Sequence, residues 1–329
     1  MNPIVLGPNQ APHFYRGGAA VARFRGLSRN GDHVPEDWVG STTSRFGDPV
    51  HGPTVLADGR LLRDAVAEEP RAFLGPEHVA RFGTDPALLV KLLDAGERLP
   101  VHAHPDRTFA RAHLGSAYGK SEAWLVLAAA EGAHVHLGFR EEVSRETLAD
   151  WAAREDADAM LGALHRVELA PGDCVYVPAG TPHSIGAGLF ILEVQEPSDL
   201  GVLLERSRYG LDLGDASMGL GLDEALGCVR RTRVGEDELA SWCGSELPQE
   251  SRRYFRAEWV RPQPSTALER GWSVLVVVDG SGRLETEAGA LDVARGLTVL
   301  VPYDAGEGEL SGHLTAIRCA PPRPEEAAA

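Results

Sequence analysis

Short apolar runs separated by turns with glycine or proline recur along most of the chain. The runs are rich in valine, leucine and isoleucine and have the length of β-strands. The predicted strands are WLVLAAA (124–130), HVHLGF (134–139), CVYVP (174–178), LFILEVQ (189–195), WSVLVVV (272–278), GRLETE (282–287) and LTVLVP (297–302). This pattern predicts a mainly β protein.

Helical periodicity is confined to a few segments. Residues 143–164 have the apolar spacing of a helix, and Ser144 is placed to cap its N-terminus. Residues 223–231 and 236–244 predict shorter helices. The segment ALLVKLLDA (87–95) fits either a buried strand or a helix, because short apolar runs do not distinguish the two.

A faint internal repeat is visible in two strand-like stretches. GDCVYVP in the first half and GLTVLVP in the second half share a glycine followed five residues later by Val-Pro. A strand-rich unit that occurs twice predicts two related barrels. Chance similarity between short apolar strands would also explain the repeat.

Composition and charge narrow the class of protein. The 329 residues carry a formal net charge of −16, which argues against binding to nucleic acid or to an anionic membrane surface. The four cysteines are widely spaced and form no C-x-x-C pair, so neither a disulfide framework nor a zinc–thiolate site is expected. No long apolar segment or leader is apparent, and we expect a cytoplasmic protein.

The stretch LPVHAHPDRTF carries two histidines at alternate positions, His102 and His104. In an extended strand both imidazoles would point to the same face and would suit one metal ion, or they would be two polar groups on a solvated face. His134 and His136 have the same spacing but lack a glycine six residues before the first histidine. We interpret this second pair as ordinary strand positions.

Two glycine-based frameworks surround the histidines. Five residues separate Gly96 from His102-Ala-His104, and Gly172 begins the pattern G-x5-P-x-G-x2-H that ends at His183. Both patterns resemble the two signatures of the cupin superfamily, whose small barrels hold one metal. The resemblance implies His102, His104, His183 and a carboxylate, Glu122, as ligands. This donor set suits zinc, and also Fe²⁺ or Mn²⁺.

A wider resemblance is to class I mannose-6-phosphate isomerases, a double-cupin zinc family. It is carried by PEDWVGST (35–42), LLVKLLDAGERLPVHAHPD (88–106), GKSEAW (119–124) and VPAGTPHSIGAGLFILEVQEPSD (177–199). The resemblance implies a double cupin of two jelly-roll β-barrels with helical insertions. We expect a metal-bearing domain over residues 1–205, a helical connection over 206–248 and a second, metal-free barrel over 249–329.

Family roles transfer to this chain only in part. His102 replaces the glutamine ligand of the family, while the pocket lysine and glutamate of the family fall on Lys120 and Glu193. The arginine of the family, which is associated with proton transfer, falls on Leu203. Arg206, or Arg208, would replace it only with a shifted register. The expected catalytic residues are therefore Lys120, Glu193 and Arg206.

The resemblance implies a metal-dependent aldose–ketose isomerase, most simply one that converts mannose 6-phosphate to fructose 6-phosphate through a cis-enediol. The expected partner is a small sugar or sugar phosphate, with Lys120, Arg206 and Arg45 as candidate phosphate partners. The change at Leu203 leaves open an isomerase for a different or unphosphorylated sugar. The same residues are compatible with a non-catalytic, metal-containing cupin that binds a sugar, or with an iron-dependent dioxygenase.

Overall fold

The computed structural model describes residues 1–328, and β-strands form the larger part of its regular structure. The mainly β fold predicted from the sequence is confirmed. The strands are β1 (Ile4–Val5), β2 (Glu36–Val39), β3 (Leu89–Asp94), β4 (His102–Ala103), β5 (Glu122–Ala129), β6 (His134–Phe139), β7 (Leu164–Glu168), β8 (Cys174–Val177), β9 (His183–Ile185), β10 (Leu189–Gln195), β11 (Val202–Leu203), β12 (Cys243–Gly244), β13 (Arg256–Val260), β14 (Ser265–Leu268), β15 (Ser273–Thr286), β16 (Gly289–Ala294), β17 (Thr298–Val301) and β18 (Gly308–Ala320).

Short helices connect the strands. They are α1 (Ala19–Arg25), α2 (Leu62–Glu68), α3 (Pro70–Leu74), α4 (Pro76–Phe82), α5 (Arg107–His113), α6 (Arg145–Arg154), α7 (Ala157–Ala163), α8 (Leu213–Ala216), α9 (Leu222–Ala225) and α10 (Glu236–Trp242). Single 3₁₀ turns lie at Ser207–Tyr209, Leu226–Cys228, Gln249–Arg253 and Tyr303–Ala305. Within residues 1–328, no helix has the length and apolar character needed to cross a bilayer.

Two antiparallel sheets frame the first half of the molecule. A six-stranded sheet has the order β12-β8-β5-β10-β3-β2, and a five-stranded sheet has the order β11-β4-β9-β6-β7. The sheets face each other, since Glu122 on β5 lies 3.2 Å from the imidazole of His183 on β9. Side chains that point inward from β3, β5 and β10 therefore meet those from β4 and β9.

A seven-stranded antiparallel sheet forms most of the C-terminal part. Its main path is β1-β17-β15-β18-β13, with β14 paired to β18 and β16 paired to β15. One hydrophobic cluster includes Leu92 and Val194 of the six-stranded sheet together with Val276 and Ile317 of this sheet. The two sheets consequently share a core, because apolar side chains from both are removed from water in the same cluster.

The division into three segments and the two-barrel arrangement stay predictions, and two strands cross the predicted boundaries. β1, at the N-terminus, pairs with β17 of the C-terminal sheet. β12, inside the predicted helical connection, pairs with β8 of the six-stranded sheet.

Three local predictions are wrong in detail. The helix predicted over 143–164 is split into α6 and α7 at Glu155, whose φ of 55° is left-handed. Ser144 caps α6 as predicted, and the Asp156 side chain caps α7 by accepting a hydrogen bond from Ala159 N. The helix predicted over 223–231 is shorter, since α9 ends at Ala225 and a 3₁₀ turn follows it. The two strands predicted over 272–278 and 282–287 are one continuous strand, β15.

The ambiguous segment 87–95 is a strand. β3 lies between β2 and β10, and all six of its residues are buried. Burial on both faces explains the continuous apolar run, because neither face of such a strand meets water.

Candidate active site

Three histidine side chains converge between the two facing sheets. His102 on β4 and His183 on β9 are direct cross-strand partners, with ring centroids 4.0 Å apart. His104 follows two residues after His102, so its side chain emerges on the same face of the chain. All three are buried, and one ring nitrogen from each lies within 4.8 Å of the other two. This grouping is tight enough for three ligands of a single metal ion.

Backbone carbonyls orient the three rings. The Nδ1 atoms of His102, His104 and His183 lie 2.8, 2.7 and 2.8 Å from the carbonyl oxygens of Pro100, Leu200 and Thr181. A carbonyl oxygen only accepts, so each Nδ1 donates and each Nε2 keeps its lone pair. Metal-binding histidines are commonly fixed in this way through the second ring nitrogen.

The carboxylate of Glu122 lies beside two of these imidazoles. Its two oxygens lie 3.2 Å from His104 Nε2 and 3.2 Å from His183 Nε2. Both partners in each contact present lone pairs, and both Nε2 atoms are buried without a hydrogen bond among the described residues. Such atoms repel one another unless a cation lies among them. The four side chains therefore fit a divalent metal ion.

Electrostatics keep these groups in the form that binds a metal. Burial lowers the pKa of His102 well below its ordinary value and lowers that of His104 to about 4, so both rings are neutral at pH 7. Burial alone would raise the pKa of Glu122, but Lys120 and His104 outweigh it and hold that pKa well below its usual range. Neutral imidazoles and an ionised carboxylate are the required ligand states.

A cavity of about 600 Å³ opens from the histidine group. Its wall includes His102 and His104 together with Lys120, Glu193 and Leu203. The volume is within the range of pockets that enclose small molecules. The cavity thus brings together most of the residues that the sequence singled out.

Glu193 and two lysines form the polar wall opposite the histidines. Glu193 Oε1 lies 3.7 Å from Lys120 Nζ and 3.7 Å from Lys91 Nζ. Burial is the largest influence on Glu193 and, with the charge of Glu122, raises its pKa to about 6 despite both lysines. A carboxyl group with this pKa exchanges a proton near neutral pH, as a general base requires.

Relatives of known name extend along nearly the whole chain. Mannose-6-phosphate isomerase ManA of Bacillus subtilis is 27% identical over 314 residues, which cover 92% of this chain and 93% of that protein. Mannose-6-phosphate isomerase of Streptococcus mutans is 42% identical over 173 residues, which cover 51% of each. No protein-family model matches.

Along nearly its whole length the chain resembles proteins named mannose-6-phosphate isomerase. Solved structures share the fold of this chain. The mannose 6-phosphate isomerase of Bacillus subtilis superposes with a TM-score of 0.77 at 24% identity, covering 97% of this chain and 99% of that one. A mannose 6-phosphate isomerase bound with zinc and yttrium superposes with a TM-score of 0.72 at 17% identity, covering 98% and 100%.

This isomerase-like chain departs from the family pattern at two positions of the cavity. His102 stands where the family carries glutamine, and it lies within the three-histidine group. Leu203 stands where the family carries arginine, and it is paired directly opposite His102 across β11 and β4. An apolar side chain therefore occupies the position beside the histidines at which the resemblance implies a cation.

Arg206 does not reach the cavity. Its guanidinium lies 3.2 Å from the carboxylate of Glu155, and its backbone N–H donates to the same carboxylate. The walls of the cavity, as far as the described residues form them, do not include Arg206. The structure thus gives no support to the predicted catalytic role of Arg206.

Several cavity residues were missed by sequence reasoning. Lys91 is buried against Trp38, with its Nζ 4.3 Å from the ring centre and 3.4 Å from a carboxylate oxygen of Glu36. His13 lines the same cavity, and burial lowers its pKa to about 4. A lone lysine within the apolar run LLVKLLDA was the available signal for Lys91. Glu36 lies in the stretch PEDWVGST, to which no role was assigned, and no motif marked His13.

Proposed function

We propose that this protein is a metal-dependent aldose–ketose isomerase that converts mannose 6-phosphate to fructose 6-phosphate through a cis-enediol. One observation carries the proposal. A buried set of three imidazoles and a carboxylate adjoins a cavity that is lined by two of the imidazoles and by Glu193, a carboxyl group with a pKa of about 6. The named activity of the relatives supports the same conclusion.

His102, His104, Glu122 and His183 would hold the metal ion, and zinc suits their three nitrogen donors and one oxygen donor. A divalent cation at this position would polarise the carbonyl and hydroxyl oxygens of the sugar and stabilise negative charge that develops on them. The solved mannose 6-phosphate isomerase that is bound with zinc and yttrium supports the choice of metal.

Glu193 would move the proton. Isomerisation transfers a proton between C2 and C1, and one carboxylate on one face of the enediol serves both carbons in turn. Lys120 Nζ lies 2.9 Å from Glu122 and 3.7 Å from Glu193, between the proposed metal ligand and the proposed base. Its ammonium would donate hydrogen bonds to sugar oxygens on which charge develops.

Arg45 would bind the phosphate of the substrate. It lines the cavity, and its Nη1 donates to the carbonyl oxygen of Pro12 at 2.8 Å. Among the described residues it has no carboxylate within 4.0 Å, whereas Lys91 and Lys120 are both paired with acids. Its charge is therefore left for an anionic group, and a guanidinium matches a phosphate well.

Leu203 favours a second candidate function, the isomerisation of a different or unphosphorylated sugar. This wall of the cavity is apolar where the family has a cation, and Leu200, Leu211 and Met218 also contribute to it. A substrate that is less charged in this region would lose less solvation on entering.

Turnover measurements test the proposal. Purified protein loaded with zinc is assayed for interconversion of mannose 6-phosphate and fructose 6-phosphate, then treated with a chelator, then reloaded. We expect activity that is lost on chelation and regained with zinc. Turnover of free mannose alone would favour the second candidate. Binding of metal with no turnover of any aldose or ketose would refute the isomerase assignment.

A further inference from the structure

A second cavity, of about 540 Å³, lies on the other side of the six-stranded sheet. It is bounded by Cys174 on β8, the segment after β12, and strands β13, β14 and β18. Five arginines line it: Arg252, Arg256, Arg261, Arg318 and Arg323. Four glutamates line it as well, so among the described residues its wall carries one excess positive charge. This is unexpected in a chain with a net charge of −16.

Arg318 is the buried member of this arginine group, with 6% of its surface exposed. Its Nε donates to Ser273 Oγ at 3.2 Å, and its Nη2 donates to the backbone oxygen of Glu269 at 2.5 Å. Both partners are neutral, and no carboxylate of residues 1–328 lies within 4.0 Å of the guanidinium. The residue paired with Arg318 across the sheet is Glu258 on β13.

A buried cation without a paired anion is costly, because its hydration is lost and no opposite charge compensates. Burial lowers the pKa of Arg318 from its ordinary value, and the charges of Glu269 and Glu258 offset this only in part. A buried arginine of this kind is stabilised either by a ligand that supplies the opposite charge or by hydrogen bonds to neutral groups of the protein. The rest of the second cavity favours the first explanation.

Two further donors in the second cavity lack acceptors. The guanidinium of Arg261 stacks over Trp259 at 5.2 Å and has no carboxylate within 4.0 Å among the described residues. Among the described residues, the indole Nε1 of Trp259 is buried without a hydrogen bond of normal geometry, although the thiol of Cys174 lies beside it. By contrast, Arg256 and Arg323 both pair with the carboxylate of Glu269. Glu326 Oε2 is likewise a buried atom without a hydrogen bond among the described residues, but the wall as a whole keeps one excess positive charge. The partner that would balance this charge is an acceptor with negative charge.

We propose that the second cavity binds a small molecule through a phosphate or carboxylate oxyanion, which Arg318 and Arg261 hold. The planar guanidinium matches the geometry of either oxyanion through paired N–H donors. None of the residues that carry this inference lines the main cavity. The inference is consequently independent of the proposed isomerase function.

Thermal unfolding of the zinc-loaded protein tests the proposal, with inorganic phosphate as the probe at constant ionic strength. A ligand that binds only the folded state raises the melting temperature. We expect a rise of about 3 °C or more at millimolar phosphate in the wild type. Two variants should lose most of this rise. Arg261→Gln is a change at an exposed position, and Arg318→Lys keeps the positive charge but not the planar guanidinium.

Two control variants locate the binding. Arg283→Gln removes an exposed arginine of the same sheet that pairs with Glu285 and Asp292, outside the second cavity, and should keep the full rise. Arg45→Gln, in the main cavity, should remove only the part of the rise that comes from phosphate bound there and should keep the part that Arg261→Gln and Arg318→Lys remove. The proposal would be overturned if the melting temperature of the wild type did not rise with phosphate. It would also be overturned if Arg45→Gln abolished the rise, or if Arg261→Gln and Arg318→Lys left it unaffected. Repetition with malonate at the same concentration then ranks the two ligand classes, since the oxyanion that the site binds more tightly gives the larger rise.

Discussion

Glu193 and Lys91 lie directly opposite each other on β10 and β3, with Glu193 Oε1 3.7 Å from Lys91 Nζ. Lys120 approaches the same oxygen at 3.7 Å from the other side. Despite two ammonium groups, burial and Glu122 raise the pKa of Glu193 to about 6. The carboxyl group is therefore held where it can gain and lose a proton at physiological pH.

The first prediction concerns the proposed base. Glu193→Gln keeps the shape of the side chain but removes the proton acceptor, and kcat should fall by about 10²- to 10⁴-fold. In the wild type, kcat/KM should decline as pH falls below about 6, because protonation of Glu193 removes the base. Glu168→Gln, an exposed change on β7, is the control. A wild-type profile that stays flat through this range would contradict the assignment.

The second prediction concerns Lys91. Lys91→Met removes a buried cation that lies within 4.0 Å of Glu36, Glu193 and Asp199. The free energy of unfolding should fall by about 3–5 kcal/mol, since buried carboxylates lose their partner. Because Lys91 lowers the pKa of Glu193, its loss should also shift the acid limb of the activity profile to higher pH.

Urea denaturation and the pH profile measure the two effects of Lys91→Met. Lys91→Arg keeps the positive charge and should preserve more of the stability than Lys91→Met does. An acid limb that stays in place, or that moves to lower pH, in a folded Lys91→Met protein would show that Lys91 does not act on Glu193.

The third prediction tests the metal ligands with a matched pair of histidines. His183→Ala should reduce bound zinc from about one equivalent per chain to a small fraction. His136→Ala, in the other H-x-H pair, should bind zinc as the wild type does, since His136 is not part of the three-histidine group. Metal analysis by mass spectrometry measures both variants. Equal zinc content in the two variants would refute the proposed ligand set.

The fourth prediction concerns Leu203. Leu203→Arg places a guanidinium beside His102, at the position where the family carries arginine. We expect kcat/KM for mannose 6-phosphate to rise, because the added cation stabilises charge in the transition state. Leu211→Arg adds the same charge elsewhere in the cavity and should not reproduce the gain. Equal effects in both variants would indicate general electrostatic attraction of the substrate instead.

The fifth prediction separates binding from chemistry at Arg45. Arg45→Gln should raise KM for mannose 6-phosphate by about tenfold or more while kcat changes little. The reason is that Arg45 would bind the phosphate group equally well in the ground state and in the transition state. Arg63→Gln, an exposed change on α2, is the control. A loss confined to kcat would place Arg45 in the chemical step and not at the phosphate.

The histidine group was predictable because its residues stand in glycine-framed patterns that restrict the backbone around them. Glu122 lay in the recognisable stretch GKSEAW. Lys91 was missed although a lysine inside a fully apolar strand indicates a buried charge with partners. Glu36 and His13 lie far from these patterns along the chain, and only tertiary packing brings them to the cavity.

Two departures from what the sequence led us to expect meet at Glu155. The residue adopts a left-handed conformation that ends α6, although the apolar spacing continues through it. Its carboxylate accepts hydrogen bonds from the backbone N–H groups of Arg206 and Ser207 and from Ser207 Oγ. The same contacts that interrupt the predicted helix hold Arg206 away from the cavity. Neither effect is visible from local periodicity.

The pairing of His102 with His183 across β4 and β9 has a consequence for the order of assembly. Two nitrogen donors that are distant along the chain become neighbours only when backbone hydrogen bonds between these strands have formed. An unfolded chain therefore offers the ion only the local pair His102 and His104, without His183 or Glu122. We expect the newly synthesised polypeptide to complete this sheet first and to acquire its metal afterwards, as a mature but still inactive apoprotein.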